Sequence, residues 1–115
     1  MPEAAEVETI RVQLQAHLPL LVTAVGVNGH RTVREHSPDA LQRTVGVTLH
    51  TPVRRGKWLG LLGDETGMKV HLRMSGRLLL RDPVDAPLPH QHLTVSVKDK
   101  RQRSHVLAFV DPRTF

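Results

Sequence analysis

A proline at position 2 followed by a glutamate at position 3 can do covalent chemistry at the head of the chain. Once Met1 is removed, Pro2 presents a secondary amine. An α-amino group titrates near pH ~8, so a usable fraction is neutral and nucleophilic at neutral pH. Attack on a carbonyl-like carbon gives an iminium, by the logic of a lysine Schiff base, and Glu3 is placed to move protons in that step. With Met1 attached, the Pro2 nitrogen is a tertiary amide and cannot attack. The same residues also suit a helix start, where proline fits the first turn and Glu3 and Glu6 face the positive end of the dipole.

The second chemical signal is charge. The 115 residues carry a formal net charge of +5, unevenly placed. Residues 1–53 hold four Arg/Lys against five Asp/Glu, whereas residues 54–115 hold twelve against six. The cations gather as Arg54-Arg55-Lys57, as Arg73, Arg77 and Arg81, and as Lys98-Lys100-Arg101-Arg103. Such clusters suit a polyanion, because cations set against phosphates release condensed counterions; they equally suit a solvated surface. Aromatic residues are only Trp58, Phe109 and Phe115, which argues against a stacking platform for single strands. His90 and His92, two apart on an expected strand, share a face and have the spacing of metal ligands, but no third ligand is evident, so no metal is expected. Cysteine is absent, which excludes disulfides, thiolate zinc sites and thiol catalysis within these residues and points to the cytoplasm. No apolar run approaches the ~18–20 residues of a transmembrane helix, and acidic residues precede any basic one, unlike a signal or transit peptide.

These side chains need a scaffold. At 39% apolar and 23% charged, the composition is that of one globular domain or part of a larger one. Val7, Ile10, Leu14 and Leu18 recur at three- and four-residue steps, which predicts a helix over residues 3–17 that stops near Pro19, with Glu8, Arg11 and Gln15 facing water. Short Val- and Leu-rich runs follow. Strands are expected at Leu20–Val27, which ends at the turn signal Asn28-Gly29, and at Val45–Val53, with one helical turn at Pro38–Arg43 between them. Trp58–Leu62 and Met68–Leu72 read as a pair, Arg77–Leu80 as a further strand, and Asp82–Pro89 as a Pro-rich loop. Leu93–Val97 and Val106–Val110 read as a hairpin whose tip is the charged run Lys98–Ser104. Strands at this spacing imply an antiparallel sandwich or barrel. Asp111-Pro112-Arg113-Thr114-Phe115 follows a strand directly, so further structure is expected beyond it.

Four segments, in order, give the chain a family resemblance. Pro2-Glu3…Glu6-Val7-Glu8-Thr9 is similar to a PELPEVET opening, Arg54-Arg55-Gly56-Lys57-Trp58-Leu59 to RRAKYL, His71-Leu72-Arg73-Met74-Ser75-Gly76 to HLGMSG, and Asp111-Pro112-Arg113-Thr114-Phe115 to the start of DPRRFG. Together they resemble the N-terminal domain of the formamidopyrimidine-DNA glycosylase and endonuclease VIII family. The resemblance covers residues 1–115 but only the first half of a typical member.

It implies an α+β, mostly β fold: a two-layer antiparallel β-sandwich with a long N-terminal helix. It also implies base-excision repair by a bifunctional DNA glycosylase/AP lyase. Pro2 would attack the sugar C1′, Glu3 would be the general acid/base that opens the sugar ring, and Glu6 a supporting polar group. Lys57 and His71 would hold phosphates that flank the lesion, which agrees with cations positioning a backbone rather than reading bases. Met74 and Phe115 would wedge into the duplex where the damaged nucleotide leaves the stack, and Arg113 would reach the opposite base. The partner is then double-stranded DNA with oxidised bases or abasic sites, with no membrane involved. The family has a similar HxH at the place of His90-Gln91-His92, and it is not a metal site there. The family zinc finger and helix-two-turn-helix belong to a C-terminal half, so no cofactor is expected in these residues, and that half or a partner chain completes the DNA cleft. Ala4-Ala5 in place of Leu-Pro, Arg73 in place of Gly and Thr114 in place of Arg depart from the pattern and also suit an endonuclease VIII-like preference for oxidised pyrimidines. Two other classes stay open: a non-catalytic damaged-DNA-binding module of the same fold, and a small basic β domain that binds RNA.

Overall fold

The structure, a computed structural model, describes residues 4–27, 42–72, 76–86 and 88–111. Among these residues the helix α1 (Ala4–Gln15) precedes eight strands: β1 (Leu20–Val27), β2 (Thr48–Leu49), β3 (Thr51–Arg55), β4 (Trp58–Leu62), β5 (Gly67–His71), β6 (Arg77–Arg81), β7 (Gln91–Lys98) and β8 (Ser104–Val110). They form two antiparallel sheets, one of five strands in the order β2-β1-β7-β8-β6 and one of three in the order β3-β4-β5. This is the expected mostly-β, two-layer sandwich with an N-terminal helix.

Alternation decides what faces inward. On the small sheet, Leu59 pairs with Val70 and Leu61 with Met68, so these four point to one side. They meet Leu78, Leu93, Val95 and Leu107 of the large sheet across a mostly apolar cavity of about 30 Å³. The helix closes the core with Val7 and Leu14, both buried, and Ile10 packs beside them. The predicted apolar face of the helix is therefore the one that docks. Pro52 sits in β3, an edge strand, where a missing N–H leaves no ladder bond unmade. Among the described residues no helix is long and apolar enough to cross a membrane.

The strand bounds depart from expectation in one instructive place. The single strand expected over Val45–Val53 is two strands in different layers. β2 pairs with β1 in the large sheet, and β3 pairs with β4 in the small one. His50 lies between them, and its N–H already bonds to the carbonyl of Leu62 in the second layer, at 2.8 Å. Residues 43–46 form a turn ending at Gly46 with φ +92°, so Val45 is exposed and does not share a face with Leu49, which is fully buried. A sandwich makes its corners from chain segments that switch sheets, and alternation alone cannot reveal the switch. The helical turn expected at Pro38–Arg43 falls almost wholly outside the described residues.

Candidate nucleic-acid interface

The connection from β3 to β4 is two residues long. Arg55 pairs with Trp58, leaving Gly56 and Lys57 as the turn. Gly56 has φ +60°, and among the described non-glycine residues only His90 and Gln102 are left-handed, so Lys57 is not. That is the type II′ hairpin, which asks for glycine at its first central position and leaves the second to any residue. The sequence Arg-Arg-Gly-Lys-Trp thus presents Lys57 at the apex.

His71 is brought beside it by the next pairing. Trp58 lies opposite His71 across β4 and β5, and the Leu72 N–H extends the ladder by bonding to the Lys57 carbonyl at 3.1 Å. The Trp58 ring meets the His71 ring edge-on at 4.9 Å between centroids, and Lys69 Nζ lies 4.9 Å from the centroid of the Trp58 ring. Both Lys57 and His71 are half-buried. The two residues expected to contact phosphates therefore occupy one end of the small sheet.

The large sheet contributes to the same end. The Gly76 N–H bonds to the Leu72 carbonyl at 2.8 Å. A Cβ on Gly76 would lie 2.5 Å from that carbonyl oxygen and 2.9 Å from the Phe109 ring, so only glycine lets the chain pass here. Arg77 then pairs with Val110, the last residue of β8. Asp111 follows, fully buried, with its N–H bonded to the His90 carbonyl at 3.1 Å and its own carbonyl accepting from His92 Nε2 at 2.7 Å. His90 sits in a turn with φ +62° rather than on β7, so the two histidines do not share a strand face. Among the described residues no group of three His, Cys, Asp or Glu could hold a metal ion.

From the helix, Glu6 is exposed in the first turn. Glu8, expected to face water, is instead shared between elements. Its Oε1 accepts from Arg11 Nε at 2.9 Å and from Arg54 Nε at 3.0 Å, and its Oε2 accepts from Arg11 Nη2 at 2.6 Å. The hydrogen bonds from Arg11, then the one from Arg54, hold the Glu8 carboxyl down at about 2, and Glu8 in turn raises Arg11. An i, i+3 Glu–Arg pair was visible in the sequence; the reach from Glu8 to Arg54, forty-six residues on, was not. Pro2, Glu3, Met74, Arg113 and Phe115 lie outside the described residues.

The third basic cluster is elsewhere. Lys98, Lys100, Arg101 and Arg103 surround the β7–β8 tip, at the far end of strands that run for about 20 Å at ~3.3 Å per residue. Arg81 is likewise away from the site, bonded to the Ala86 carbonyl at 2.8 Å.

A family profile described as Formamidopyrimidine-DNA glycosylase N-terminal domain matches residues 1–115. The formamidopyrimidine-DNA glycosylase of Corynebacterium jeikeium is 39% identical over 118 residues, covering all of this chain and 40% of that protein. That of Nocardia farcinica is 38% identical over 130 residues, covering all of this chain and 42% of that protein. Among solved structures, Lactococcus lactis Fpg in complex with abasic-site DNA superposes with a TM-score of 0.85 at 29% identity, over 98% of this chain and 41% of that one. MutM in complex with DNA containing carbocyclic 8-oxo-G gives 0.86 at 27% identity, over 99% and 42%. The chain thus spans about two fifths of the length of the relatives it matches.

Proposed function

The chain belongs to the formamidopyrimidine-DNA glycosylase family through its N-terminal domain, and from that membership we propose that residues 1–115 are the catalytic domain of a bifunctional DNA glycosylase/AP lyase acting in base-excision repair. Its substrate is double-stranded DNA that carries an oxidised base or an abasic site. A C-terminal half, the place of the family's helix-two-turn-helix and zinc finger, completes the cleft.

The chemistry starts from the Pro2 amine, freed by removal of Met1. Its lone pair forms a bond to the sugar C1′ while the bond from C1′ to the base breaks, and the base leaves with that electron pair and takes up a proton. The Pro2 nitrogen gives up its N–H proton, Glu3 protonates the ring oxygen, and the nitrogen lone pair displaces that oxygen from C1′, which opens the sugar and leaves an iminium between Pro2 and C1′. The iminium acidifies the adjacent C2′ proton. Its removal expels the 3′ phosphate, and a second elimination expels the 5′ phosphate. Glu6 supports the site as a polar group. Lys57 and His71 bind the flanking phosphates, Met74 and Phe115 fill the space left by the everted nucleotide, and Arg113 meets the opposite base.

The observation that carries this reading is the Leu72 N–H to Lys57 carbonyl bond. It seats the Lys57 turn beside His71, at the end of the sandwich where Leu72, Gly76 and Asp111 also lie. The test is borohydride trapping on duplex DNA with one abasic site, using protein whose mass shows Met1 removed. A covalent complex is expected with the native chain and none with Pro2→Gly. A native chain that gives no trapped complex, even with a relative's C-terminal half supplied, overturns the proposal and leaves a non-catalytic damaged-DNA-binding module.

A further inference from the structure

Glu8 sits one turn along the helix that begins next to Pro2 and Glu3, and Arg54 sits two residues before the turn apex Gly56-Lys57. The two are joined by the 3.0 Å bond from Arg54 Nε to Glu8 Oε1. The same guanidinium also holds the turn itself, since Arg54 Nη1 donates to the Gly56 carbonyl at 3.3 Å. On the other side, Arg11 grips both oxygens of Glu8 and sends Nη1 to Gln15 Oε1 at 3.1 Å. A continuous polar chain therefore runs Gln15, Arg11, Glu8, Arg54, Gly56. It links the helix to the two-residue turn that carries Lys57.

We propose that Glu8 and Arg54 are positioning residues, a bracket that fixes the Lys57 turn relative to the N-terminal helix and so sets where a lesion-flanking phosphate lies relative to the attacking amine. The role rests on the functional reading above; the linkage itself does not. Two observations separate it from simple adhesion. The helix is already fastened by Val7 and Leu14, which are 0% and 3% exposed in the core, so the fold does not need the pair. Glu8 and Arg54 side chains are also 40% and 30% exposed, a setting in which an ion pair adds little stability. What a planar guanidinium does supply is direction: two nitrogens at fixed separation address a carboxylate and a carbonyl at once, which a lysine ammonium cannot reproduce. Because the turn has only two residues, a shift at the Gly56 carbonyl is transmitted directly to Lys57.

The experiment uses the 115-residue chain with Glu8→Gln, Arg54→Lys and the double substitution. It reads backbone amide spectra, thermal unfolding, and the rate of borohydride trapping at saturating abasic duplex. The bracket predicts that Glu8→Gln moves the Gly56 and Lys57 amide resonances, although they are far from position 8 in sequence. It predicts that each single variant lowers the trapping rate about tenfold to a hundredfold, the effect of a misplacement near 1 Å, with little change in melting temperature. The double variant should lose no more than either single one. Arg54→Lys, which keeps the charge, should remain defective. The proposal fails if the Gly56 and Lys57 amides stay put, if Arg54→Lys matches the native chain, if the two losses multiply, or if the loss of rate follows loss of folding. A native chain that traps nothing, even with a relative's C-terminal half supplied, refutes the functional reading instead, and the amide shifts then decide the bracket alone.

Discussion

Two tight turns on this domain carry cations, and they are built on opposite plans. The β3–β4 turn is two residues long, takes its left-handed residue from glycine, and is held from outside by Arg54 and, through it, by the helix. The β7–β8 tip is longer and is held from within. Asp99 Oδ1 accepts from the Arg101 and Arg103 amides at 2.8 and 2.9 Å, its Oδ2 accepts from His105 Nε2 at 2.9 Å, and Gln102 is forced to φ +65°. The first turn is coupled to other elements that carry candidate chemistry, whereas the second is closed by its own Asp99 and meets the end of the helix only through the His105 and His17 rings, 6.3 Å apart, among the described contacts. Charge density alone does not separate them, since the tip is the more basic of the two. What the cations are tied to does.

The largest expected difference is in stability. Gly56→Ala puts a side chain on a left-handed residue and should cost about 2 kcal/mol, while Gln102→Gly relieves the same strain and should gain up to ~1 kcal/mol, less the entropy glycine adds to the unfolded chain. Chemical denaturation reads both, and equal effects of the same sign would erase the contrast. Next is DNA affinity. Lys57→Ala should weaken duplex binding about tenfold and reduce the salt slope by about 0.9, as expected for one lost phosphate contact. Lys100→Ala with Arg101→Ala, a larger change in charge, should do less. If the tip pair costs more than Lys57, the site assignment is at the wrong end.

The smallest effect is in acid. The Glu8 carboxyl lies at about 2 in the fold against 4.5 when unperturbed, and Asp99 at about 2 against 3.8, held down by His105 first and then by the Arg103 and Arg101 amides. A carboxyl depressed by folding contributes stability that is fully present above its unfolded value and is lost as pH falls through its folded value. Thermal stability should therefore decline from about pH 4.5 towards 2. Glu8→Gln should flatten the upper part of that limb, and Asp99→Asn the part that starts near 3.8. A limb unchanged by both would mean that neither carboxylate is held as described.

Much of this was legible in the residues, for reasons that differ by element. The strand Leu20–Val27 emerges with its stated bounds although a bulge between Val22 and Ala24 shifts its register, and the helix face Val7, Ile10, Leu14 emerges as expected because one period and one burial face govern it. Trp58–Leu62 emerges with its stated bounds for the same reason, helped by glycine at the turn on either side. The break at His50 was hidden because Val47, Leu49 and Val53 keep one apolar alternation in the sequence, whereas burial changes phase across His50, from Leu49 to Pro52, as the chain changes sheet. The placement of Lys57 and His71 together was implied by the family motifs and realised by the Trp58–His71 pairing. The tie from Glu8 to Arg54 was invisible, because a long-range ion pair leaves no periodic trace.

The crossing at His50 also bears on how such a domain could be rebuilt. With one residue between the ladder of the large sheet and that of the small one, the layers are not separable parts. A chimaera that took its three-stranded layer from a relative would have to splice between Leu49 and Thr51, directly against a fully buried leucine. Recombination is better borne at exposed loops such as residues 82–86, so lineages should exchange this region as one block.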